Sequence, residues 1–530
     1  MARYLKTADG GDNFNLVQFA SALQKKYESQ ESVKTRKQIG HYGTPGIIAE
    51  YMARMFSQIP TDTVRLLDAG AGVGILTAAV CDRIAKLKSP RRVKAVLYEN
   101  NGALIIFLRE TLEATQKVLD MGGHELTYEI RTDDFILSNS QFIPGLFTAR
   151  GAVPSSFDLV IMNPPYSKLR KDSMHAKAMG GVIHGQPNIY ALFMAVGARF
   201  LSQSGELVAI TPRSYCNGLY FRHFRKWFLD RVTPYHIHLF ESRRKAFEES
   251  DVLQENMILA ARRGNTYGKV AVTVSAGKDL AYSARRLLPV NKVIDDSRGD
   301  KIIRISSNDF DQRIVDVIDA WPKRFSQLQL GISTGPVVTF RATDFLVTHS
   351  NGGKNLVPLL GMHNIRPFKT LWPSGSKKDT WFKVCPDSEP LILPARNYVI
   401  LKRFSSKEEK RRLVAGILLR ENFQYNFVGL ENHLNYVYQE RGELSKAQCF
   451  GLAALFNSAI LDRYFRTING NTQVNASEIR TLPLPRSDDI EKIGEKIMKL
   501  GGDHVAEVED VILDHFHIKG NLRSYLRKIK

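Results

Sequence analysis

The sequence predicts a doubly wound, Rossmann-like α/β domain followed by a C-terminal domain of mixed α+β content. Three observations carry this expectation. Short apolar runs alternate with helical-period segments from Val64 to Thr211, the pattern of a mainly parallel sheet. A glycine cluster, Gly70, Gly72 and Gly74, stands where the first run gives way to a helix. After about residue 265 the alternation fades into shorter strands, Gly/Pro turns and lysine-rich loops. The 530 residues are too many for one ordinary domain. Residues 1–35 read as an N-terminal helical lead, 36–265 as the α/β domain and 270–530 as the second domain.

The elements follow in order. Ile47, Ile48, Tyr51, Met52 and Met55 recur at helical spacing, with Thr44 placed as the N-cap and Pro45 as the first helical residue. Val64–Asp68 reads as a strand, the segment through Ala78 to Lys86 as a helix, Val93–Glu99 as a strand and Leu104–Leu119 as a helix. Leu126–Arg131, Leu159–Met162 and Leu207–Thr211 are further strands, with a helix at Ile189–Leu201. Tyr235–Phe240 and Met257–Ala261 form a later pair, expected to be antiparallel and joined by Glu241–Glu255.

Composition narrows the function. A net charge of +20 favours a polyanionic partner, because neutralising phosphates releases counterions. Cys81, Cys216, Cys385 and Cys449 are far apart, which argues against a zinc site or a disulfide framework and for reduced thiols; no metal is expected. Met1–Ala22 lacks the apolar core of a signal peptide, and no apolar run approaches a membrane span. The expected setting is the cytoplasm of a prokaryote.

The ends of three successive strands suit one kind of ligand. Gly70, Gly72 and Gly74 let backbone approach a ligand closely, but such a turn also serves dinucleotides. Asp68 precedes the glycines, and its charge suits a ligand bearing an ammonium group better than one bearing phosphates. Glu99 can accept from both hydroxyls of a ribose. Asp134 can accept from an adenine amino group, with Phe135 packing on the ring. S-adenosylmethionine accounts for all of these acids, whereas a dinucleotide oxidoreductase leaves the next motif unexplained.

That motif is Asn163-Pro164-Pro165-Tyr166, directly after the strand Asp158–Met162. The prolines fix the backbone and cannot donate, so the Pro164 carbonyl is held as an acceptor. The Asn163 side-chain oxygen is a second. Together they bind both hydrogens of a planar NH2 group, whose delocalised lone pair is a poor nucleophile until it is directed at an electrophile. Tyr166 supplies a face for a planar group.

In these motifs the chain resembles the type II restriction-modification adenine-N6 DNA methyltransferases of the gamma arrangement, the Eco57I/TaqI-like methylases. The match runs from Gly40 to Gly264. Gly40-His-Tyr-Gly-Thr-Pro45 resembles the family's N-terminal cofactor motif, which implies that Thr44 contacts the methionine carboxylate and brings Tyr42 into the cofactor set. The resemblance likewise implies cofactor contacts for Asp68, Gly70, Gly72, Gly74, Glu99, Asn100, Asp134, Phe135 and Asn163. Asn163, Pro164, Pro165 and Tyr166 match the catalytic motif. Asn217-Gly-Leu-Tyr-Phe221 resembles the segment that gives the second aromatic face, so Tyr166 and Phe221 would clasp an extruded base. Pro187-Asn-Ile-Tyr190 and Ile210-Thr-Pro-Arg213 fall where the family continues its sheet.

The implied reaction moves a methyl group from S-adenosylmethionine to a flipped adenine in double-stranded DNA, protecting the host from a cognate endonuclease. The second domain would read the target, with Gly331–Pro336, Arg396–Lys402 and Asn469–Asn475 as the loops near DNA. A monomer is expected. The rival readings are an amino-methyltransferase acting on RNA or on a protein glutamine, and a non-enzymatic DNA-binding subunit.

Overall fold

The computed structural model describes residues 14–30, 43–143, 156–183, 185, 188–240, 256–264, 268–275, 280–297, 299–348, 355–405, 409–469, 473–501 and 505–529. The chain divides into two compact units, Met1–Ser307 and Asn308–Lys530.

In the first unit, helices α1 (Leu16–Gln30) and α2 (Gly46–Met55) precede strand β1 (Thr63–Ala69). Then come α3 (Ile75–Ala85), β2 (Arg92–Tyr98), α4 (Gly102–Met121), β3 (Glu125–Arg131) and β4 (Phe157–Met162). The short helix α5 (Met174–Ala178), α6 (Ile189–Arg199), β5 (Leu201–Pro212), α7 (Arg222–Leu229) and β6 (Val232–Phe240) follow. Strands β7 (Asn256–Arg263), β8 (Lys269–Ser275) and β9 (Tyr282–Pro289) complete one nine-stranded sheet in the order β3-β2-β1-β4-β5-β7-β6-β8-β9.

Strands β3, β2, β1, β4 and β5 pair in parallel, and β7 runs antiparallel to both β5 and β6. The chain winds outward from β1 to β3 and returns to β4 beside β1. This reversal opens a crevice at the carboxyl ends of β1 and β4, where open α/β sheets bind ligands.

The strand period of two divides the core. Leu67, Ala69, Val160 and Met162 face one layer with α6 and α7. Val64, Leu66, Leu159 and Ile161 face the other, with α1 to α4. Helix α1 is therefore part of this unit and not a separate lead: Leu16, Phe19, Ala20, Leu23 and Tyr27 are buried in that second layer.

Three further expectations change. The unit carrying the parallel sheet ends at Ser307, beyond residue 265, because β8 and β9 extend the same sheet. Helix α2 is capped at Pro45 without a side-chain bond, since the Thr44 hydroxyl is engaged elsewhere. Ile47 lies outside the apolar face, 40% exposed. Glu241–Glu255 lies outside the described residues.

The second unit has mixed α and β content. A four-stranded sheet takes Leu330–Thr334, Leu434–Gln439, Tyr398–Lys402 and Ala415–Leu418 in that order, and a five-stranded sheet has Leu356–Leu360 at its centre. The unit also holds helices α8 (Asp309–Asp319), α9 (Lys446–Asn457), α10 (Ala459–Ile468), α11 (Ala476–Arg480) and α12 (Ser487–Lys499).

The three stretches expected near DNA are largely structural. Gly331 and Ile332 are buried in a strand, as are Tyr398 to Leu401. Asn469 is 2% exposed and bridges buried Arg412 (2.9 Å) and Glu478 (2.7 Å), while Asn475 caps α11. Residues 470–472 lie outside the described residues.

Helices α9 and α12 approach closely through glycine. A Cβ at Gly494 would overlap the Ala447 carbonyl oxygen, and one at Gly451 the Ile490 carbonyl oxygen. Neither obstacle is a flexible side chain, so relief requires the helices to part. Gly494→Ala is expected to destabilise the second unit by about 1–3 kcal/mol, read as a lower denaturant midpoint. An unchanged midpoint would show that the helix contact carries no such constraint.

Candidate active site

The crevice holds a cleft of about 260 Å³ within the first unit. Gly70 and Gly72 form one wall, Glu99, Asn100 and Asn101 a second, and Asp133, Asp134 and Phe135 a third. Thr44, Asn163, Pro164 and Pro165 close the remaining side.

The glycine wall follows from backbone geometry. Gly70, Gly72 and Gly74 have φ of 77°, 57° and 84°, a region other residues enter only at a cost. Gly74 does not line the cleft. It caps α3 and sits against α4, where a Cβ would lie 2.8 Å from Leu108 Cδ1. The turn is tied to β2 by the amides of Gly70 and Ala71, which donate to the Tyr98 carbonyl at 3.0 and 2.9 Å.

Glu99 braces the same turn. It accepts from the amides of Gly72 (2.9 Å) and Asn101 (2.8 Å), one on each oxygen. Burial pushes its carboxyl up from the usual range, and these amides oppose the shift. Each oxygen has a second lone pair to offer a ligand hydroxyl.

Asp68 stands in a different place from the one expected. It is fully buried beneath the turn, outside the cleft lining. One oxygen accepts from the Thr77 hydroxyl at 2.7 Å, and the other has no hydrogen-bond partner. Its bond ties the end of β1 to α3, the two elements that the glycine turn joins.

Asp134 caps the turn beginning at Leu137: its Oδ1 accepts from the amides of Ile136 (2.9 Å) and Leu137 (2.8 Å). Its Oδ2 lies 2.9 Å from His175 Nε2. Phe135 packs between Tyr98 and Phe193, with ring centroids 4.8 and 5.1 Å away.

Asn163 follows β4, and its amide is held from both ends. Nδ2 donates to the Thr44 hydroxyl at 2.9 Å. Oδ1 accepts from the Tyr166 hydroxyl at 3.0 Å. Thr44 and Asn163 are 119 positions apart in the chain, so this bond closes the cleft across the sheet.

Tyr166 and Phe221 are buried beside the cleft rather than lining it. Phe221 stacks on Tyr190 at 5.7 Å and 16°, and Tyr166 meets the same Tyr190 edge-on at 6.3 Å. Tyr42 and Pro187 lie outside the described residues. Sequence reasoning missed Gln24, Asn101, Ile189, Phe193 and His175. Gln24 is a polar position on the amphipathic α1, and only the packing of that helix brings it to the cleft.

Comparisons with known proteins place the chain. The family described as Eco57I restriction-modification methylase matches residues 106–247. The type II methyltransferase M.BsuBI of Bacillus subtilis is 34% identical over 479 residues, covering 90% of this chain and 93% of that protein. The chain belongs to the type II restriction-modification methyltransferases. M.PstI of Providencia stuartii, also a type II methyltransferase, is 30% identical over 481 residues, covering 90% of this chain and 92% of its own. The type IIL restriction-modification enzyme MmeI, solved in complex with DNA, is similar in fold. Its TM-score is 0.51 at 11% identity, over 97% of this chain and 74% of that one.

In this methyltransferase the buried Asp68 gives stability a distinct pH dependence. Burial lifts its pKa from the usual 3.8 to about 7, against the Thr77 hydrogen bond. Between those values the folded state keeps a proton that the unfolded chain has released. The group's contribution therefore falls as pH rises from about 4 to about 7, and is constant above. Asp68→Asn is expected to gain stability over the native protein between pH 5 and pH 7.5, by up to about 3 kcal/mol. Denaturant midpoints at the two pH values test this, and parallel losses in both proteins would refute it.

Proposed function

We propose that the methyltransferase transfers a methyl group from S-adenosylmethionine to the exocyclic N6 amine of an adenine flipped out of double-stranded DNA at a specific short sequence. The observation that carries this reading is the Asn163 amide, fixed between Thr44 and Tyr166 at the edge of a cleft built from Gly70, Gly72, Glu99 and Asp134.

The residues fit the donor. Gly70 and Gly72 bare their backbone to the cleft, Glu99 has oxygens suited to ribose hydroxyls, and Asp134 and Phe135 form a wall suited to an adenine ring. Bound there, S-adenosylmethionine would supply an electrophilic methyl group.

The chain's own residues prepare the nucleophile. The Asn163 amide is set with its nitrogen on the Thr44 hydroxyl and its oxygen on the Tyr166 hydroxyl, which leaves that oxygen the acceptor role. A carbonyl oxygen carries two lone pairs, so it can take the Tyr166 hydroxyl and a substrate N–H together. The Pro164 carbonyl takes the second N–H, because its ring and that of Pro165 hold the backbone. An amine gripped at both hydrogens is turned so that its lone pair points into the cleft. This is positioning and electrostatic preorganisation. As the N–C bond forms and the C–S bond breaks, the nitrogen becomes cationic and the two acceptors stabilise it. One proton then leaves the nitrogen to water, since neither acceptor is a base.

An adenine reaches this place only if it leaves the helix stack, at a cost of about a few kcal/mol. Tyr166 and Phe221 are the proposed faces for it. Cationic residues of the second unit are proposed to grip phosphates and side chains there to read base edges, with host protection from a cognate endonuclease as the outcome.

Asn163→Ala is expected to lower methylation of DNA by at least about a hundredfold while changing S-adenosylmethionine affinity by less than about threefold. Methyl transfer from labelled donor and equilibrium binding read the two effects. Near-native turnover in the variant would refute the role. Sequencing DNA from a methylation-deficient host expressing the protein tests the substrate: one short motif carrying N6-methyladenine is expected, and methylation confined to RNA or protein would overturn the reading.

A further inference from the structure

The contact between Asp134 and His175 has no part in the chemistry above, yet it joins the donor side of the cleft to the segment that follows the catalytic motif. Asp134 Oδ1 already accepts two backbone amides, from Ile136 and Leu137, which uses both of its lone pairs. Any ligand N–H must therefore bind Oδ2. That oxygen is 2.9 Å from His175 Nε2.

His175 comes from α5, nine residues after Tyr166, and this helix is fixed at its start by Ser173, whose hydroxyl accepts from the Ala176 amide at 3.2 Å. Both side chains are partly exposed, His175 at 22% and Asp134 at 34%; Asp134 lines the cleft, whereas His175 touches it only through Asp134.

We propose that His175 is a positioning residue for donor recognition: its Nε2–H holds one lone pair of Asp134 Oδ2, so that the other is aimed at the 6-amino group of the donor's adenine. The proposal rests on S-adenosylmethionine being the donor. It assigns selectivity for a 6-amino over a 6-oxo purine to two residues 41 positions apart. A 6-oxo purine presents a carbonyl to the carboxylate, and two acceptors facing each other repel. The selectivity depends on Oδ2 staying in place, and the two amides on Oδ1 alone leave the carboxylate free to tilt about that oxygen.

The test is equilibrium binding of S-adenosylhomocysteine and S-inosylhomocysteine by calorimetry to the full chain and to His175→Ala and His175→Gln. The native protein is expected to prefer the adenosyl compound by at least about tenfold. His175→Ala should weaken adenosyl binding about tenfold, bring the two affinities within about threefold of each other, and leave kcat at saturating donor within about twofold. His175→Gln, which restores an N–H donor at similar reach, should recover most of the preference.

An Ala variant with native affinity and preference would overturn the proposal. So would a variant that loses kcat while binding both compounds normally, which would assign His175 to the target side. A native protein that binds neither compound would instead overturn the donor assignment beneath it.

Discussion

The cleft depends on one constraint: the chain must leave β1 and enter α3 within the span Ala69–Gly74 while keeping its amides satisfied. Three left-handed glycines make the turn tight enough. The amides exposed by that tightness go to groups at the end of the neighbouring strand, two to the Tyr98 carbonyl and one to Glu99. Glu99 also takes the Asn101 amide, and Asn101 caps α4 through its own side chain. One carboxylate therefore sets the turn, the start of the next helix and the floor between them. Asp68 adds a second acid, which burial keeps from ionising readily and which links β1 to α3 through Thr77.

The opposite wall is set by an amide rather than by acids. An asparagine side chain can rotate by half a turn and present nitrogen where oxygen is needed, with almost no change in shape. Here the Thr44 hydroxyl accepts from the amide nitrogen and the Tyr166 hydroxyl donates to the amide oxygen, so the side chain is held at both ends. Tyr166 also lies 3.4 Å from the Ile210 carbonyl, which gives its hydroxyl another acceptor if a substrate amine displaces it. Preorganisation at this site is thus a property of hydroxyls drawn from β4's own loop and from the segment before α2.

Much of this was legible in the sequence because it is local. The parallel strands, the glycine turn, Glu99, Asp134 and Asn163-Pro164-Pro165 each declare themselves within a few residues, and all but the strands proper and Gly74 line the cleft. What failed to show was set over long distances. Thr44 looked like a helix cap, yet it serves Asn163. Asp68 matched a ligand-facing acid by position, but its side chain turns under the strand to Thr77. Edge strand β9 escaped assignment to the sheet because its burial alternates without a matching polarity: Ala284 and Leu288 face the core with Arg286 between them, while Leu287 is 60% exposed. Asn469 had the look of a polar loop, and only the fold shows it buried against Arg412 and Glu478.

Net charge was the least discriminating signal, and the arginines show why. Arg225 counts towards the +20, yet it is 2% exposed and donates to the carbonyls of Tyr215 (3.1 Å), Gly218 (2.7 Å) and Asp300 (3.0 Å). Burial lowers its pKa to about 10, but it stays charged at neutral pH. Arg412, 1% exposed, is spent in the same way on Ser405 and Asn469. A guanidinium suits this task because its planar fork meets several carbonyls at once. In the first unit the result bears on the site, since two of the carbonyls that Arg225 gathers, those of Tyr215 and Gly218, belong to the turns immediately before Phe221. A cation that composition assigns to a polyanionic partner instead fixes the backbone leading into the aromatic cluster beside Asn163.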